Sequence, residues 1–220
     1  MKIAILGGTF NPIHTGHLIL ASAVCEEAGY DKVIFVPALN PPHKEIKASG
    51  GRDPSGADRL KMCRLAVKGD RRFLVDDCEL KRKGVSYTYD TICFLEEKYK
   101  KHLEGKIGLI MGDDLLSGFH LWHRAEELSK KCSLLLAVRE KSKEEKAFEN
   151  HATGEYAKLD QNAVYDWQKD PLFKDAFRLE NPLVTLSSTQ IRAMAAKGQN
   201  VNYLVPEKVF KYIQKKGLYL

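Results

Sequence analysis

The stretch GGTFNPIHTGH, residues 7–17, directly follows a short apolar run, Ile3–Leu6, at the start of the chain. An apolar run of this length that ends at glycines is typical of a buried strand, and the residues after it favour the start of a helix. Gly7 and Gly8 have no Cβ, so the backbone can turn sharply there and approach a ligand closely. The stretch therefore predicts a strand, a tight turn with room for a phosphate, and a helix.

Further apolar runs alternate with helical patterns along the rest of the chain. The runs predict buried strands at Val33–Val36, Phe73–Val75, Ile107–Met111, Leu134–Val138 and Val184–Leu186. The helical patterns cover residues 17–28, 57–68, 89–101, 122–131 and 189–197. This alternation predicts an α/β fold, a doubly wound and mostly parallel sheet with helices on both faces. Ligands are expected at the carboxyl ends of its strands.

The length and composition fit a single domain over residues 1–220. A chain of 220 residues with 44% hydrophobic content can bury a full core without disulfides or metals. Two stretches interrupt the alternation, and we expect surface insertions near 44–56 and 139–172. The end of the chain predicts a helix over 205–217, with Pro206 in its first turn and Gly217 at its end.

Charge, cysteine and hydropathy patterns limit the partners. Lys and Arg number 35 against 29 Asp and Glu, an excess that suits an anionic ligand but is too small to predict nucleic-acid binding. The five cysteines show no CxxC spacing, so we expect neither disulfides nor a protein-bound metal, and a reducing cytoplasm is the expected location. No signal peptide or membrane span is predicted.

Two histidines complete the opening stretch. His14 and His17 lie three residues apart with Gly16 between them, near the predicted start of a helix. Both imidazoles can therefore face the helix N-terminus, where amide N–H groups and the helix dipole also attract a polyphosphate. Either histidine alone is more simply a surface or capping residue, but the pair within this turn favours a phosphate site. Neither GxxxxGK[ST] nor GxGxxG is present, which weighs against a Walker-type ATPase and a dinucleotide-binding dehydrogenase.

A second motif, LSSTQIR, spans residues 186–192 and also opens a predicted helix. Its hydroxyl side chains can cap the first amides, and Arg192 follows about one turn later. By itself the segment fits either another anion site or an ordinary cap with a surface arginine.

Together the two motifs resemble the HxGH and SSTxIR signatures of the nucleotidyltransferase superfamily, which has a Rossmann-like fold. The resemblance implies that the two motifs form one ATP site. It assigns to ATP the residues Gly7, Gly8, Thr9, Phe10, His14, His17, Ser187, Ser188, Thr189 and Arg192.

Other segments are similar to the bacterial nicotinate-nucleotide adenylyltransferase family. They are Asn40–Lys44 (NPPHK), Ser86–Thr91 (SYTYDT), Met111–Asp114 (MGDD), Leu121–His123 (LWH) and the closing helix. The resemblance implies that Lys44 reaches the ATP phosphates and that Gly112 and Asp113 contact nucleotide, with Asp113 on ribose hydroxyls. It also assigns nicotinate mononucleotide to Ser86, Tyr87, Thr88, Asp113, Trp122 and His123.

Two positions depart from the family pattern. Asp58 stands where a histidine often precedes the arginine that is matched here by Arg59. Arg139 matches an arginine near the adenine, but Glu140 and Lys141 replace the Pro-Gly that usually follows it.

The implied reaction belongs to NAD biosynthesis. The 5′-phosphate of nicotinate mononucleotide attacks the α-phosphorus of ATP, with Mg²⁺ accompanying ATP, and pyrophosphate leaves. His17, His14, Lys44 and Arg192 would be the catalytic residues, with His17 on the α-phosphate and His14 and Lys44 on the β/γ side.

Three alternatives stay open at this stage. The acceptor could be nicotinamide mononucleotide, or another phosphate acceptor such as phosphopantetheine or a small alcohol phosphate. The chain could also be a non-catalytic nucleotide-sensing or RNA-binding module. A homo-oligomer is compatible with the sequence.

Overall fold

The computed structural model describes residues 1–39, 52–82, 84–138 and 165–219. Within these residues the chain forms a six-stranded, all-parallel sheet in the order β3-β2-β1-β4-β5-β6. This arrangement confirms the predicted α/β fold class. The strands are β1 Ile3–Gly8, β2 Lys32–Pro37, β3 Phe73–Val75, β4 Gly108–Gly112, β5 Ser133–Ala137 and β6 Phe177–Arg178.

The helices agree with the predicted ranges to within a few residues, apart from the region around Trp122. There a 3-10 helix spans Asp113–Leu121, and the α-helix that was predicted over 122–131 begins only at Ala125. The short helix α3 was not predicted. The helices are α1 Thr15–Glu27, α2 Gly56–Ala66, α3 Cys78–Lys81, α4 Thr88–Tyr99, α5 Ala125–Lys131, α6 Ser188–Ala196 and α7 Glu207–Lys216, with further 3-10 turns at Trp167–Lys169 and Pro171–Phe173.

The core lies on both faces of the sheet because successive strand residues point to opposite sides. In β1, Ala4 and Leu6 join one buried cluster while Ile3 and Ile5 join the other. The first cluster is completed by α1, α2, α6 and α7, and the second by α4, α5 and the 3-10 helix after β4. Burial on both faces explains why the strands are continuous apolar runs in the sequence.

The sixth strand was predicted in the wrong place. Residues 184–186 form no strand, and Leu183 beside them is 58% exposed; the sheet ends instead with β6, seven residues earlier. The Asn181 side chain accepts a hydrogen bond from Val138 N–H at 3.0 Å and donates one to Val138 O at 3.1 Å, so it occupies the backbone groups that a longer β6 would use. Pro182 follows and offers no N–H to a ladder.

The described ends of the two predicted insertions pack on the domain. Tyr165, within the second insertion, has its ring centroid 6.3 Å from that of the buried Phe173, and Arg52, within the first, forms an isolated parallel bridge with Leu218. The rest of both insertions lies outside the described residues, and the single-domain prediction over 1–220 stays a prediction. No helix in the described part of the chain is long and apolar enough to cross a membrane.

The order of the strands fixes where a ligand can bind. From β1 the chain builds outward through β2 and β3, and then returns to place β4 on the other side of β1. The connections therefore diverge between β1 and β4, which leaves a crevice at their carboxyl ends. Leu6 pairs with Ile110, so Gly8 and Gly112, two residues further along each strand, border this crevice together.

Candidate active site

The β1–α1 loop, residues 9–14, leaves the sheet at this crevice. Its sharp turn falls on Phe10, which has φ 46°, whereas Gly7 and Gly8 both remain in β1. The two glycines therefore do not make the turn, and what matters at these positions is the absence of a Cβ. A Cβ on Gly8 would lie 3.2 Å from the buried Phe10 ring, and one on Gly7 would meet no described protein atom within 4 Å. The Gly7 position is therefore open to a ligand.

The two histidines meet at the N-terminus of α1, as predicted. His14 is the residue before the helix and His17 lies in its first turn, with ring centroids 3.7 Å apart. The backbone N–H of His14 donates to Nδ1 of His17 at 3.2 Å. Since Nδ1 accepts this bond, the neutral ring carries its hydrogen on Nε2, which makes Nε2 a donor. The edge of the His17 ring packs against Phe10, with centroids 5.0 Å apart.

Gly16 allows this pairing. A Cβ at this position would lie 3.1 Å from Nδ1 of His14 and 3.3 Å from Cγ1 of Val184. Such contacts are tighter than ordinary van der Waals packing, so a larger residue would push the His14 ring or the 182–186 segment aside. The glycine between the histidines is thus explained by the close approach of His14.

The backbone carbonyls of the β1–α1 loop are held by side chains from distant parts of the chain. The buried Arg59 on α2 donates to Thr9 O at 2.6 Å. From α6, Ser188 Oγ donates to Pro12 O at 2.8 Å and Arg192 donates to Asn11 O at 2.8 Å. The loop is therefore fixed from two helices, and a phosphate bound above it would meet a backbone that needs little rearrangement.

The second motif combines a helix cap with these contacts. Ser187 is the residue before α6, and its Oγ accepts a hydrogen bond from Gln190 N–H at 3.1 Å, which confirms the predicted cap. Arg192 also donates to Thr189 Oγ1 at 3.3 Å. The motif thus joins the opening motif directly. Its serine and arginine contact the loop backbone, a role that the sequence pattern did not indicate.

A cavity of about 190 Å³ opens beside the glycines. It reaches from the end of β1 to the start of α4, where Tyr87 precedes the helix and Thr88 opens it. Its lining includes Gly7, Gly8, Thr9, Glu79, Ser86, Tyr87, Thr88, Thr91, Trp122 and His123. Residues predicted for ATP and residues predicted for the acceptor therefore share one cavity.

Aromatic stacking joins the start of α4 to residues 122–124 in one wall of this cavity. The His123 ring stacks on Tyr87 with centroids 4.4 Å apart and an interplanar angle of 29°. Next to it, the Arg124 guanidinium lies 4.1 Å from the Tyr89 ring centroid. Trp122 packs against Phe119 at 5.3 Å and lines the cavity. His123 therefore orders the wall, while Trp122 presents aromatic surface to the interior.

Glu79 places a buried carboxyl group in the same wall. The residue is 8% exposed, and Oε1 accepts a hydrogen bond from Thr91 Oγ1 at 2.7 Å. Burial raises the pKa of Glu79, and the hydrogen bond from Thr91 and the nearby Arg82 oppose the rise. The cavity thus holds a carboxyl group whose charged form is disfavoured.

Comparison with known proteins identifies the family. Residues 5–194 match the family described as Cytidylyltransferase-like. A protein of Treponema pallidum named probable nicotinate-nucleotide adenylyltransferase is 36% identical over 219 residues, spanning 100% of this chain and 99% of the relative. A protein of the same name from Dehalococcoides mccartyi is 38% identical, covering 100% and 97%. The chain belongs to the nicotinate-nucleotide adenylyltransferase family. The resemblance drawn from the sequence is confirmed.

A solved structure supports the fold of this adenylyltransferase family member. Nicotinic acid mononucleotide adenylyltransferase of Plasmodium falciparum, complexed with NaAD, aligns with a TM-score of 0.64 at 17% identity, covering 99% of this chain and 97% of that one. At this level of identity the likeness concerns the fold alone.

Of the other positions in the family pattern, some are placed by the structure and others lie outside the described residues. Asp113 follows β4 directly, so it stands at the crevice edge with Gly112. Asp58, which departs from the family histidine, caps α2: its carboxylate accepts from Ser55 N–H at 3.0 Å and from Tyr212 OH at 2.7 Å. The segment Asn40–Lys44 and Arg139 lie outside the described residues, so their roles stay predictions.

Two side chains at the site of this adenylyltransferase are not predicted from the sequence. Arg59 is only a match to the family pattern, and Glu79 belongs to no motif. The available signal for Arg59 was its helical spacing, because it lies three and four residues before Met62 and Cys63, which are both buried, and so falls on the same face of α2. Nothing in the local sequence around Glu79 indicates that it lines the cavity.

Proposed function

We propose that this chain transfers the adenylyl group of ATP to nicotinate mononucleotide, producing nicotinate adenine dinucleotide and pyrophosphate in NAD biosynthesis. The observation that carries the proposal is the single cavity at the β1–β4 crevice. Gly7 and Gly8 line one side of it, and the start of α4 with Trp122 lines the other. The histidine pair lies outside this lining, where the Phe10 ring connects Gly8 to His17. If ATP and the acceptor mononucleotide bound in this cavity together, their phosphate groups would lie next to each other.

The chemistry is a direct displacement. An oxygen of the acceptor 5′-phosphate forms a bond to the α-phosphorus of ATP, the bond from that phosphorus to the α–β bridging oxygen breaks, and pyrophosphate leaves with the electron pair. Such transfers are accelerated mainly by positioning and charge stabilisation. His17 Nε2–H is the proposed donor to the α-phosphate, since Nδ1 is occupied by His14 N–H.

A protein nucleophile is not required and the described lining offers no thiol. Cys63 and Cys78 are buried, and burial raises the pKa of each thiol to about 12. No cysteine is among the described residues that line the cavity. A two-step route through a covalent adenylyl-cysteine therefore has no support at this site.

We propose that Mg²⁺ enters with the triphosphate. Across the described ranges no group of three or more His, Cys, Asp or Glu side chains could hold a metal ion, so the residues fit a metal carried by phosphate oxygens rather than one bound by the protein alone. The ion would supply neutralisation of charge on the phosphate oxygens. Asp113, which directly follows β4, lies at the edge of the same crevice.

The acceptor is proposed from the wall of the cavity at the start of α4. Amide N–H groups at a helix N-terminus favour an anionic group, which suits the carboxylate of a nicotinate ring, and Trp122 offers a surface for the ring itself. Glu79 in the same wall would favour the amide acceptor instead only in its ionised form, which burial disfavours. When ionised, it would repel a carboxylate and accept a hydrogen bond from a carboxamide.

The deciding experiment measures pyrophosphate release from ATP and Mg²⁺ with nicotinate mononucleotide and, separately, with nicotinamide mononucleotide. We expect kcat/KM to be higher for the acid by at least about tenfold, equivalent to ~1.4 kcal/mol. Preference for the amide would overturn the substrate assignment. ATP binding without pyrophosphate release from any mononucleotide would instead favour a nucleotide-sensing module.

Further parts of the proposal rest on the family alone. Lys44 and His14 would contact the β/γ-phosphates, and Arg192, Ser187, Ser188 and Thr189 the triphosphate tail. A cytoplasmic location and a homo-oligomer also stay predictions. Size-exclusion chromatography with light scattering measures the oligomeric state directly.

A further inference from the structure

Tyr219 lies under the β1–α1 loop although it is almost the last residue of the chain. Its side chain is fully buried, and its backbone has φ 66°, a left-handed conformation that a non-glycine residue adopts only when its surroundings enforce it. The hydroxyl donates a hydrogen bond to Oδ1 of Asn11 at 2.7 Å. A residue at the chain end thus contacts the centre of the phosphate-binding turn.

The backbone on both sides of Tyr219 is fixed. The helix α7 stops at Gly217, which has φ 58°, and Leu218 N–H bonds back to Ile213 O at 3.1 Å. Tyr219 N–H donates to Arg52 O at 3.1 Å, next to the bridge between Arg52 and Leu218. This arrangement directs the ring inward and leaves it little freedom to move.

Asn11 accepts two hydrogen bonds from residues near the C-terminal end of the chain. It is 4% exposed, its carbonyl oxygen accepts from Arg192, and its side chain accepts from Tyr219. A buried polar group that loses its partner costs more than the bond itself contributes. Asn11 stands between the Phe10 turn and His14, so a shift of this residue would be transmitted to both histidines.

The charges around Tyr219 favour its role as a donor. Burial raises the pKa of the Tyr219 phenol, and the neighbouring Arg192 and Arg59 only partly oppose the rise. The phenol therefore keeps its proton across the neutral range. Arg59 and Arg192 are the same two arginines that hold Thr9 O and Asn11 O, so all three side chains form one support beneath the loop.

We infer that Tyr219 is a positioning residue for nucleoside triphosphate binding, which acts through Asn11 to hold the β1–α1 loop in its ligand-ready shape. The inference rests on the proposed function only in taking ATP as the ligand. It predicts that the last residues of the chain contribute to ATP affinity although they lie far from the site in sequence.

The test compares Tyr219→Phe with Tyr212→Phe. Each variant removes one hydroxyl, and Tyr212 donates its hydrogen bond to Asp58 between α2 and α7, not to the loop. The readouts are the Kd for α,β-methylene-ATP with Mg²⁺, measured by calorimetry, and Tm. We expect Tyr219→Phe to weaken binding about three- to tenfold and Tyr212→Phe to change it less than about twofold, with similar losses in Tm. An unchanged Kd for Tyr219→Phe, or an equal loss in both variants, overturns the inference.

A double-mutant cycle tests the route through Asn11. Asn11→Ala removes the acceptor, so Tyr219→Phe in that background should weaken binding no further. If the two substitutions weaken binding by fully additive amounts, Tyr219 does not act through Asn11. The outcome is separable from the proposed function. If the wild-type chain binds the analogue and Tyr219→Phe weakens it, the inference stands even where no dinucleotide forms. If the wild-type chain forms dinucleotide but Tyr219→Phe and Tyr212→Phe bind the analogue equally well, the inference about Tyr219 is wrong while the proposed function stands.

Discussion

The backbone N–H of His14 donates to Nδ1 of His17, 3.2 Å away, and thereby makes Nε2 the nitrogen that carries the hydrogen in the neutral His17 ring. A histidine in this state donates from Nε2 while the ring is neutral. The same contact closes the first turn of α1, so one hydrogen bond links helix formation to the orientation of the proposed catalytic group.

The first prediction concerns that group. His17→Ala should lower kcat by about 10²- to 10³-fold, the usual cost of removing one donor to a transition-state oxygen. Stability should fall by only about 0.5–1.5 kcal/mol, the contribution of one hydrogen bond. Pyrophosphate release and thermal unfolding measure the two effects. His102→Ala, an exposed histidine away from the crevice, is the control. A kcat within twofold of the wild type would contradict the assignment of His17.

The second prediction concerns the glycine between the histidines. Gly16→Ala brings a Cβ to 3.1 Å from His14 Nδ1, and we expect kcat/KM to fall by about tenfold as that ring moves, a loss of ~1.4 kcal/mol. Tm should change little, because alanine favours the helix by up to about 1 kcal/mol and offsets the crowding. Gly56→Ala is the matched control, since its Cβ would lie 3.2 Å from Leu80 and not near a histidine. Equal activity in both variants would rule out this explanation of Gly16.

The third prediction separates acceptor from donor binding. Trp122→Ala should raise KM for nicotinate mononucleotide by about tenfold or more, since stacking on an aromatic side chain is worth about 1–3 kcal/mol. KM for ATP should stay within about twofold. The matched control is Trp167→Ala, which removes the other tryptophan from a 3-10 turn that does not line the cavity. Steady-state kinetics with each substrate varied in turn provide the measurement. An equal rise in both KM values would mean that Trp122 supports the fold rather than the acceptor.

The fourth prediction concerns pH. Burial raises the pKa of Glu79 above its ordinary value of 4.5, so its contribution to stability is present below that pH and is lost as pH rises through the raised value. Glu79→Gln keeps an acceptor for Thr91 and removes the charge. We therefore expect a higher Tm for the variant at pH 7.5 and no gain at pH 4. Each kcal/mol gained moves Tm by about 2–4 °C in a chain of this size.

The control for this pH effect is Glu126→Gln, an exposed carboxylate on α5. Its Tm should follow the wild type at both pH values. If Glu79→Gln lowers Tm at pH 7.5, the charged carboxylate stabilises this wall of the cavity and the interpretation of its burial is wrong.

Local features were predictable because they depend on residues a few positions apart. The strand Ile3–Leu6, the helix after His14 and the cap at Ser187 all follow from periodicity and capping chemistry within short windows. The strand predicted at Val184–Leu186 is not formed, because a short apolar run is not sufficient to make a strand. The side chain of Asn181 holds Val138 and ends the ladder first, a contact across 43 residues.

The sequence by itself determined the parallel α/β fold, the family and the two motifs that carry the site. Only the tertiary structure decided how those motifs are held: Arg59 reaches Thr9 across 50 residues, Arg192 reaches Asn11 across 181, and Tyr219 reaches Asn11 across 208. It also decided that Phe10 makes the turn and that Glu79 faces the cavity. Short-range patterns reflect backbone preferences, whereas these contacts depend on which elements the folded sheet brings side by side.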